Sequence, residues 1–329
     1  MADNNHAHAH EVSLALDRYS RSQAYFDGLV TTPAWLALKP LQVGMLTMLR
    51  DGADRHGRML RDREFDVAET SLSSYVISRS QGLPFIATPV FPRRLFLQTQ
   101  LFVAKDSPVR SAGDLAGRRV VLLTFQATMS VVARGDLQRE YGVPWRSVQW
   151  MSLGPEELEV GDLPVTRLAA GTDPFQMLRD GDADAVVLPG FPESVMDSTG
   201  EFRRLFPDAG AEVRAQFARN GYMPIMHVLT MQSHVVERMP ELPSVLLDLD
   251  RQAFDHALAL HNDSNYGIAA LGRLELERER VEIGADVWPR GLAANRVNLE
   301  RFVDDMVEQG LIPEPLAVED LFHHSTHDS

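Results

Sequence analysis

Residues 64–94 read EFDVAETSLSSYVISRSQGLPFIATPVFPRR, and this stretch decides the fold. The segment FDVAET predicts a β-strand that ends in a turn. SLSSYVISRSQG predicts a helix that Ser71 begins and Gly82 ends. PFIATPV is apolar and predicts a second strand. A strand, a helix and a further strand in succession indicate an α/β fold.

The same alternation continues on both sides of this stretch. Strands are predicted over 11–16 and near 36–43, with a helix over about 21–29 between them. The stretch 51–63 is polar and predicts a helix. Later segments repeat the pattern and include a strand over 119–123, a helix over 126–141, a helix–turn–strand unit over 172–190 and a mainly helical region over 234–329. The acidic stretch 154–164 predicts a surface loop.

Two long segments, 96–106 and 222–232, predict strands that cross between two halves of the chain. We therefore predict two lobes that enclose a cleft. The first lobe is discontinuous, with residues 11–103 and 226–329, and the second lobe comprises residues 104–225. A cleft between lobes is a common place for a small-molecule site.

Composition excludes several classes of function. The chain has 329 residues, 44% of them hydrophobic, and a formal net charge of −14. An acidic surface repels phosphate backbones and anionic lipids, so we expect neither nucleic acid nor membrane as a partner. There are no cysteines, which excludes disulfides, thiolate metal sites and cysteine nucleophiles.

The N-terminus does not have the basic start and apolar run of a secretory signal, so the sequence predicts a cytoplasmic protein. HAHAH at 6–10 is typical of a disordered tail rather than a metal site. No HExxH motif and no glycine-rich phosphate loop occur. We therefore predict no cofactor, although a divalent metal held by His227 and Glu69 is left open.

Seven blocks occur in an order that resembles the 4,5-dihydroxyphthalate decarboxylase-like family. The blocks are FDVAETSLSSY, PVFPRRLF, DLAGRRV, ARGDLQREYGV, RLFPD, MPIMHVLTM and WPRGLAANR, and they span most of residues 12–322. The resemblance implies a two-lobed fold similar to type 2 periplasmic binding proteins. It also implies a carboxy-lyase that removes CO2 from a hydroxylated aromatic acid such as 4,5-dihydroxyphthalate.

Such a reaction needs a proton donor for the ring carbon, an acceptor for the phenolic proton, and donors that orient the carboxylate. His227 is our first choice for ring protonation, because an imidazole can donate or accept near neutrality. Its apolar strand equally suits a core histidine bonded to backbone. Glu69 is the second catalytic candidate, at the carboxyl end of a strand where ligands bind in open α/β sheets. Its alternative role is to cap the following helix.

Further residues are candidates for binding the substrate through charge, hydroxyl groups or aromatic walls. They are Arg94, Arg21, Ser71, Ser73, Ser74, Gln126, Thr128, Trp288 and Arg290. Capping is the plainer role for Ser71 and Thr128 and the alternative role for Gln126, and a packed turn is the plainer role for the Trp288 segment. Arg93 and Arg94 are adjacent, and only one of them is expected to face inward.

The chain departs from the family pattern at several positions expected to face the cleft, including Leu97, Gln98, Thr124 and Phe125. Two other functions are therefore kept beside the decarboxylase. One is a solute-binding protein that delivers an organic acid to a transporter. The other is an enzyme of the same fold with a different reaction on an aromatic acid. The expected partner is a small aromatic acid, and assembly into a homo-oligomer is left open.

Overall fold

The computed structural model describes residues 9–44, 54–189, 200–284 and 286–329. In these ranges the strands are β1 (His10–Leu16), β2 (Leu36–Gln42), β3 (Val67–Ser71), β4 (Phe85–Thr88), β5 (Leu101–Ala104), β6 (Arg119–Leu122), β7 (Gln149–Ser152), β8 (Thr166–Arg167), β9 (Ala185–Val187), β10 (Phe202–Arg204) and β11 (His227–Gln232). They form two separate sheets.

The helices lie between and after the strands. They are α1 (Gln23–Phe26), α2 (Arg55–Leu60), α3 (Leu72–Ser80), α4 (Thr128–Tyr141), α5 (Pro174–Asp180), α6 (Ala209–Asn220), α7 (Ser233–Arg238), α8 (Leu242–Asn262), α9 (Gly272–Ile283) and α10 (Arg296–Glu308). The helix predicted over 21–29 is shorter than expected, because a 3-10 turn at Ser20–Ser22 precedes α1. No helix in the described part of the chain is both long and apolar enough to span a membrane.

The first lobe contains a five-stranded sheet in the order β2-β1-β3-β11-β4. Strand β1 is parallel to β2 and β3, whereas β11 runs antiparallel to both β3 and β4. In the β3–β11 ladder, Leu229 is paired with Glu69 and His227 with Ser71. Because side chains alternate across a strand, His227 and Glu69 are diagonal neighbours on one face of this sheet.

The second lobe contains a six-stranded sheet in the order β10-β5-β9-β6-β7-β8. Its centre, β9-β6-β7, is parallel, and β5 joins it antiparallel between β10 and β9. The predicted unit over 172–190 supplies α5 and β9, with Gly181 ending the helix in the left-handed conformation. Two α/β lobes confirm the predicted fold class.

The chain crosses between lobes in irregular segments and not in long strands. β5 belongs wholly to the second sheet and β11 wholly to the first, so the two predicted crossing strands are shorter than expected. Strands β5 and β11 each end where their hydrogen bonds to the neighbouring strands of their own sheet end. The boundaries of the lobes stay a prediction, but α10, which the sequence assigned to the first lobe, packs on α4 of the second. A continuous apolar core connects the lobes, with Ala68, Val120 and Phe302 among its members.

Candidate active site

A small cavity of about 70 Å³ lies between the lobes. His56, Ser71 and His227 line it from the first lobe, and Thr124, Thr128 and Glu157 line it from the second. Arg93, in the segment that connects β4 to β5, also lines the cavity. The sequence therefore placed His227, Ser71 and Thr128 correctly at one cleft, while His56 and Glu157 were not among its candidates.

Glu69 and His227 form a hydrogen-bonded pair beside this cavity, between Glu69 Oε1 and His227 Nδ1. Glu69 is fully buried and does not line the cavity, so its carboxylate reaches the cavity only through the imidazole. Neither alternative role predicted from the sequence applies. Within the described residues the His227 ring bonds to Glu69 and not to backbone, and the Glu69 carboxylate does not cap α3 but bonds to His227, Tyr19 and Asp17.

Three further groups hold the Glu69 carboxylate in place. Arg55 Nη2 lies 3.1 Å from Glu69 Oε2, and the main-chain N–H of Asp17 donates to the same oxygen at 3.0 Å. The Tyr19 hydroxyl donates to Glu69 Oε1 at 2.9 Å. Together with His227, these donors fill the acceptor positions of a buried, ionised carboxylate.

Electrostatics assign the protonation states of this pair. Burial favours the neutral form of Glu69, but Arg55, His227 and the Asp17 N–H outweigh it and hold the pKa of Glu69 well below its usual value. Burial lowers the pKa of His227 to about 3, although Glu69 opposes this shift. At neutral pH His227 is therefore a neutral imidazole. Its Nδ1 carries the proton shared with Glu69, and its Nε2 is left as an acceptor.

A cluster of hydroxyl groups joins the two lobes at the edge of the cavity. Ser71 Oγ lies 2.8 Å and Ser73 Oγ 3.1 Å from Thr128 Oγ1, which also accepts from the Ser73 N–H at 3.1 Å. The Ser73 hydroxyl donates to the carbonyl oxygen of Gln126, whose side chain is fully buried. Ser71 stands at the N-cap position of α3, as predicted, but its side chain makes no capping bond, and Thr128 is the first residue of α4 and not its cap. Thr128 instead caps α3 across the interface between the lobes.

Ser74 binds Glu157 rather than facing the cavity. Its hydroxyl donates to Glu157 Oε2 at 2.5 Å, and Glu157 Oε1 lies 3.3 Å from His56 Nδ1. Glu157 falls in the acidic stretch 154–164, which has no helix or strand and several exposed residues, as predicted for a surface loop, but its own side chain is only 22% exposed. No sequence motif marks His56 or Glu157 as a site residue. Their positions at the cavity result from the tertiary packing of segments that are distant in sequence.

Arg93 and Arg94 are adjacent in sequence but lie in different environments. The sequence predicted that only one of them would face inward. Arg94 is buried and donates to the carbonyl oxygens of Met223 and Pro289 and to Asn295 Oδ1. These bonds give Arg94 a structural role. Arg93 is the arginine that lines the cavity, and so it replaces Arg94 as the candidate for orienting a carboxylate.

Arg21, Trp288 and Arg290 line a second cavity of about 450 Å³. The Arg21 guanidinium lies between the rings of Tyr19 and Trp288, at 4.1 and 4.3 Å from their centroids, and its Nε donates to the Pro92 carbonyl oxygen. These three residues are thus not brought together with His227. Their binding of substrate stays a prediction.

The departures from the family pattern are distributed unevenly around the cavity. Thr124 lines it, whereas Leu97 and Phe125 are buried in the core, and Gln98 bonds to Tyr141 and Gln216. Among the described residues there is no group of three or more His, Asp and Glu side chains that could hold a metal ion.

Comparison with solved structures defines the class of fold. The periplasmic aliphatic sulphonate binding protein SsuA from Escherichia coli superposes with a TM-score of 0.56 at 13% identity, over 97% of this chain and 99% of that protein. The desulfurization enzyme DSZB superposes with a TM-score of 0.50 at 18% identity, over 96% and 98%. At these identities the likeness shows the fold alone, which is that of the periplasmic binding proteins.

Sequence comparison gives the family. The chain is 30% identical to 4,5-dihydroxyphthalate decarboxylase of Comamonas testosteroni, over 97% of this chain and 98% of that protein. It is 29% identical to 4,5-dihydroxyphthalate decarboxylase of Pseudomonas putida, over 60% and 77%. No protein-family profile matches the chain. The chain belongs to the 4,5-dihydroxyphthalate decarboxylase family, which confirms the resemblance and the predicted class of enzyme, a decarboxylase.

Proposed function

We propose that the protein is a carboxy-lyase that removes CO2 from a hydroxylated aromatic carboxylic acid such as 4,5-dihydroxyphthalate. The family gives the class of reaction. The observation that carries the proposed site is the Glu69–His227 pair, in which an ionised, buried carboxylate holds an imidazole at the wall of the interlobe cavity. This is the arrangement that makes a histidine a general base.

His227 accepts the phenolic proton in this proposal. A neutral imidazole has a free Nε2 lone pair at neutral pH, and loss of the phenolic proton sends electron density to the ring carbon that bears the carboxylate. Glu69 stabilises the imidazolium that forms and fixes its orientation, so Glu69 is a positioning residue. The sequence had assigned ring protonation to His227, but an imidazole that is neutral at neutral pH enters the reaction without a spare proton to donate from Nε2, so we assign it the accepting role.

Arg93 and the first turn of α4 receive the carboxylate. Ala127, Thr128 and Met129 line the cavity where the 14-residue helix α4 begins, and a helix N-terminus favours an anion. The planar guanidinium of Arg93 provides a second anchor. These groups have to bind the carboxylate only moderately, because tighter binding of the substrate carboxylate than of the transition state opposes loss of CO2.

An activity assay tests the proposal. The purified protein is incubated with 4,5-dihydroxyphthalate and a panel of hydroxybenzoates, with and without a chelator, and CO2 and the decarboxylated product are measured. We expect turnover by the wild type and by His234→Ala, a change at an exposed histidine, but a loss of about 10²–10⁴-fold in His227→Ala. Tight binding of an acid without turnover would overturn the proposal in favour of a binding protein. The cytoplasmic location and the oligomeric state stay predictions.

A further inference from the structure

We propose that His56 is a second catalytic residue, which delivers the proton to the ring carbon as CO2 departs. This inference rests on the proposed function and deepens it, because it assigns the two proton transfers of the reaction to two different histidines. It also gives Glu157, which lies on the other lobe, the task of positioning His56.

The environment of His56 is that of a functional group. The side chain is 3% exposed and lines the cavity. Nδ1 lies 3.3 Å from Glu157 Oε1, but the buried Nε2 has no hydrogen-bond partner in the described part of the chain. Leaving a buried polar atom unpaired costs about 1–3 kcal/mol. A substrate in the cavity would give Nε2 a hydrogen-bond partner, which explains why this atom lies unpaired at the cavity wall.

His56 and His227 stand side by side at the cavity wall. Their rings meet edge to face, with centroids 4.9 Å apart and planes at 87°. In 4,5-dihydroxyphthalate each carboxylate is para to one hydroxyl group, so the phenolic oxygen and the ring carbon that loses CO2 lie at opposite ends of the ring. One imidazole cannot contact both ends of that span at once. Two neighbouring imidazoles that line the same cavity supply one group for each end.

The two histidines have different partners. Glu157 is ionised, because His56 and Ser74 together outweigh burial and lower its pKa. Its Oε1 lies 3.3 Å from His56 Nδ1, so it holds the His56 ring with the unpaired Nε2 at the cavity. In the proposed reaction His56 donates its proton from this position, and its neighbour His227 accepts one.

The proton balance closes with these two groups. His227 Nε2 takes the phenolic proton, the bond between the ring carbon and the carboxylate breaks, and CO2 leaves without the electron pair. The pair remains on the ring carbon and takes the proton from His56 Nε2. The His227 imidazolium returns its proton to the phenolate oxygen, and His56 regains one from water. One proton is consumed for each CO2 released.

Glu157 acts through His56, and a hydrogen bond from Ser74 holds its carboxylate in position. Its other carboxylate oxygen accepts from the Ser74 hydroxyl at 2.5 Å. Because Ser74 and His56 belong to the first lobe and Glu157 to the second, the pair forms between the lobes. Glu157→Gln retains the shape of the side chain but removes the negative charge that lies 3.3 Å from His56 Nδ1.

The test compares His56→Ala, His56→Gln and Glu157→Gln with matched controls at exposed positions, His234→Ala and Glu159→Gln. Circular dichroism checks folding, calorimetry gives the Kd for 4,5-dihydroxyphthalate, and turnover gives kcat. Exchange of the product's ring proton in D2O, at the former carboxylate carbon, is followed by NMR. We expect kcat to fall about 10²–10⁴-fold in both His56 variants with Kd within a few-fold of wild type. Ring-proton exchange is lost in parallel, and added imidazole partly restores the turnover of His56→Ala.

The possible results separate this inference from the proposed function. If the wild type converts no hydroxylated aromatic acid, the proposed function is wrong and this inference falls with it. If the wild type is active and folded His56→Ala retains kcat within threefold, only the role of His56 is wrong. A folded variant that loses binding and turnover equally, or one that imidazole does not rescue, also overturns the proton-donor role. Glu157→Gln is expected to lower kcat without changing KM, and an effect on KM alone overturns its positioning role.

Discussion

Arg55 is bonded to Glu69 through two different groups of that residue. Its Nε donates to the Glu69 carbonyl oxygen at 2.8 Å, and its Nη2 lies 3.1 Å from the carboxylate. Both side chains are fully buried. The contact fixes the start of α2 against β3, so that the next residue, His56, is carried to the cavity beside His227.

Replacing Arg55 is expected to destabilise the whole first lobe. Arg55→Met leaves the buried Glu69 carboxylate without its cation, and breaking a buried ion pair costs about 3–5 kcal/mol. Urea denaturation measures this loss. The matched control is Arg61→Met at the other end of α2, where the guanidinium is 54% exposed and its ion pairs contribute at most about 1 kcal/mol. Equal losses in the two variants would contradict the proposed importance of the Arg55–Glu69 contact.

The His227 imidazole is expected to make folding sensitive to acid. Its pKa is about 3 in the folded protein and about 6.5 when unfolded, so below pH 6.5 the unfolded chain binds the extra proton. The stability that His227 contributes is therefore present above pH 6.5 and falls as pH decreases, by up to about 1.4 kcal/mol per pH unit.

The measurement compares the unfolding free energies of the wild type and His227→Gln from pH 7 to 4.5. Burial raises the pKa of Asp136 and Asp250 to about 6 and that of Asp305 to about 7, and these groups act in the opposite direction. They are common to both proteins, so the difference between wild type and variant isolates His227. We expect that difference to decrease with acid, and a constant difference would contradict the assignment of a buried neutral imidazole.

Adjacent arginines are expected to give opposite phenotypes. Arg93→Ala removes a charge from the cavity wall and is expected to raise KM by about tenfold or more with little change in Tm, as a charged hydrogen bond contributes about 1.5–3 kcal/mol. Arg94→Ala removes a buried guanidinium with its bonds to Met223, Pro289 and Asn295, and is expected to lower Tm by several degrees with KM near wild type. Steady-state kinetics and thermal unfolding on both variants check this, and the reverse pattern would restore Arg94 as the substrate ligand.

Thr128→Val tests the hydroxyl cluster between the lobes. The change keeps the shape but removes the oxygen that accepts from the Ser73 N–H and contacts two serine hydroxyls. We expect unfolding free energy to fall by about 1–3 kcal/mol, because buried polar groups are left unpaired. Thr166→Val, at an exposed position of β8, is the control, with an expected change within about 0.5 kcal/mol. Indistinguishable variants would show that the cluster does not hold the lobes together.

The sequence was informative where local pattern decides the structure. Alternating apolar runs and turn residues placed β3, α3 and β4, and the apolar strand with His227 was recognised before its neighbours were known. The pairing of His227 with Glu69 was within reach, because both lie in strands of one lobe. The register that makes them diagonal neighbours depends on how β3 and β11 pair, and it cannot be predicted from the sequence of either strand alone.

What the sequence did not reveal depends on contacts between distant segments. His56 was part of a polar helix and Glu157 part of an acidic loop, and neither pattern distinguishes a cavity residue from a solvated one. The same limit applies to Arg94, where a buried guanidinium bonded to two carbonyl oxygens and an amide oxygen has the same local sequence as one that binds a carboxylate. Burial and partner atoms decide such roles, and both come from tertiary structure.

The contact between His56 and Glu157 also links the proposed acid to the arrangement of the two lobes. The cavity of about 70 Å³ is well below the ~300 Å³ of ordinary ligand pockets, so we expect the segments around it to move apart when an aromatic acid enters. Because His56 and Glu157 belong to different lobes, such a movement would part the two side chains, and closure on the substrate would bring them together again. In that case the proposed acid meets its positioning carboxylate only in the closed arrangement, from which solvent is excluded.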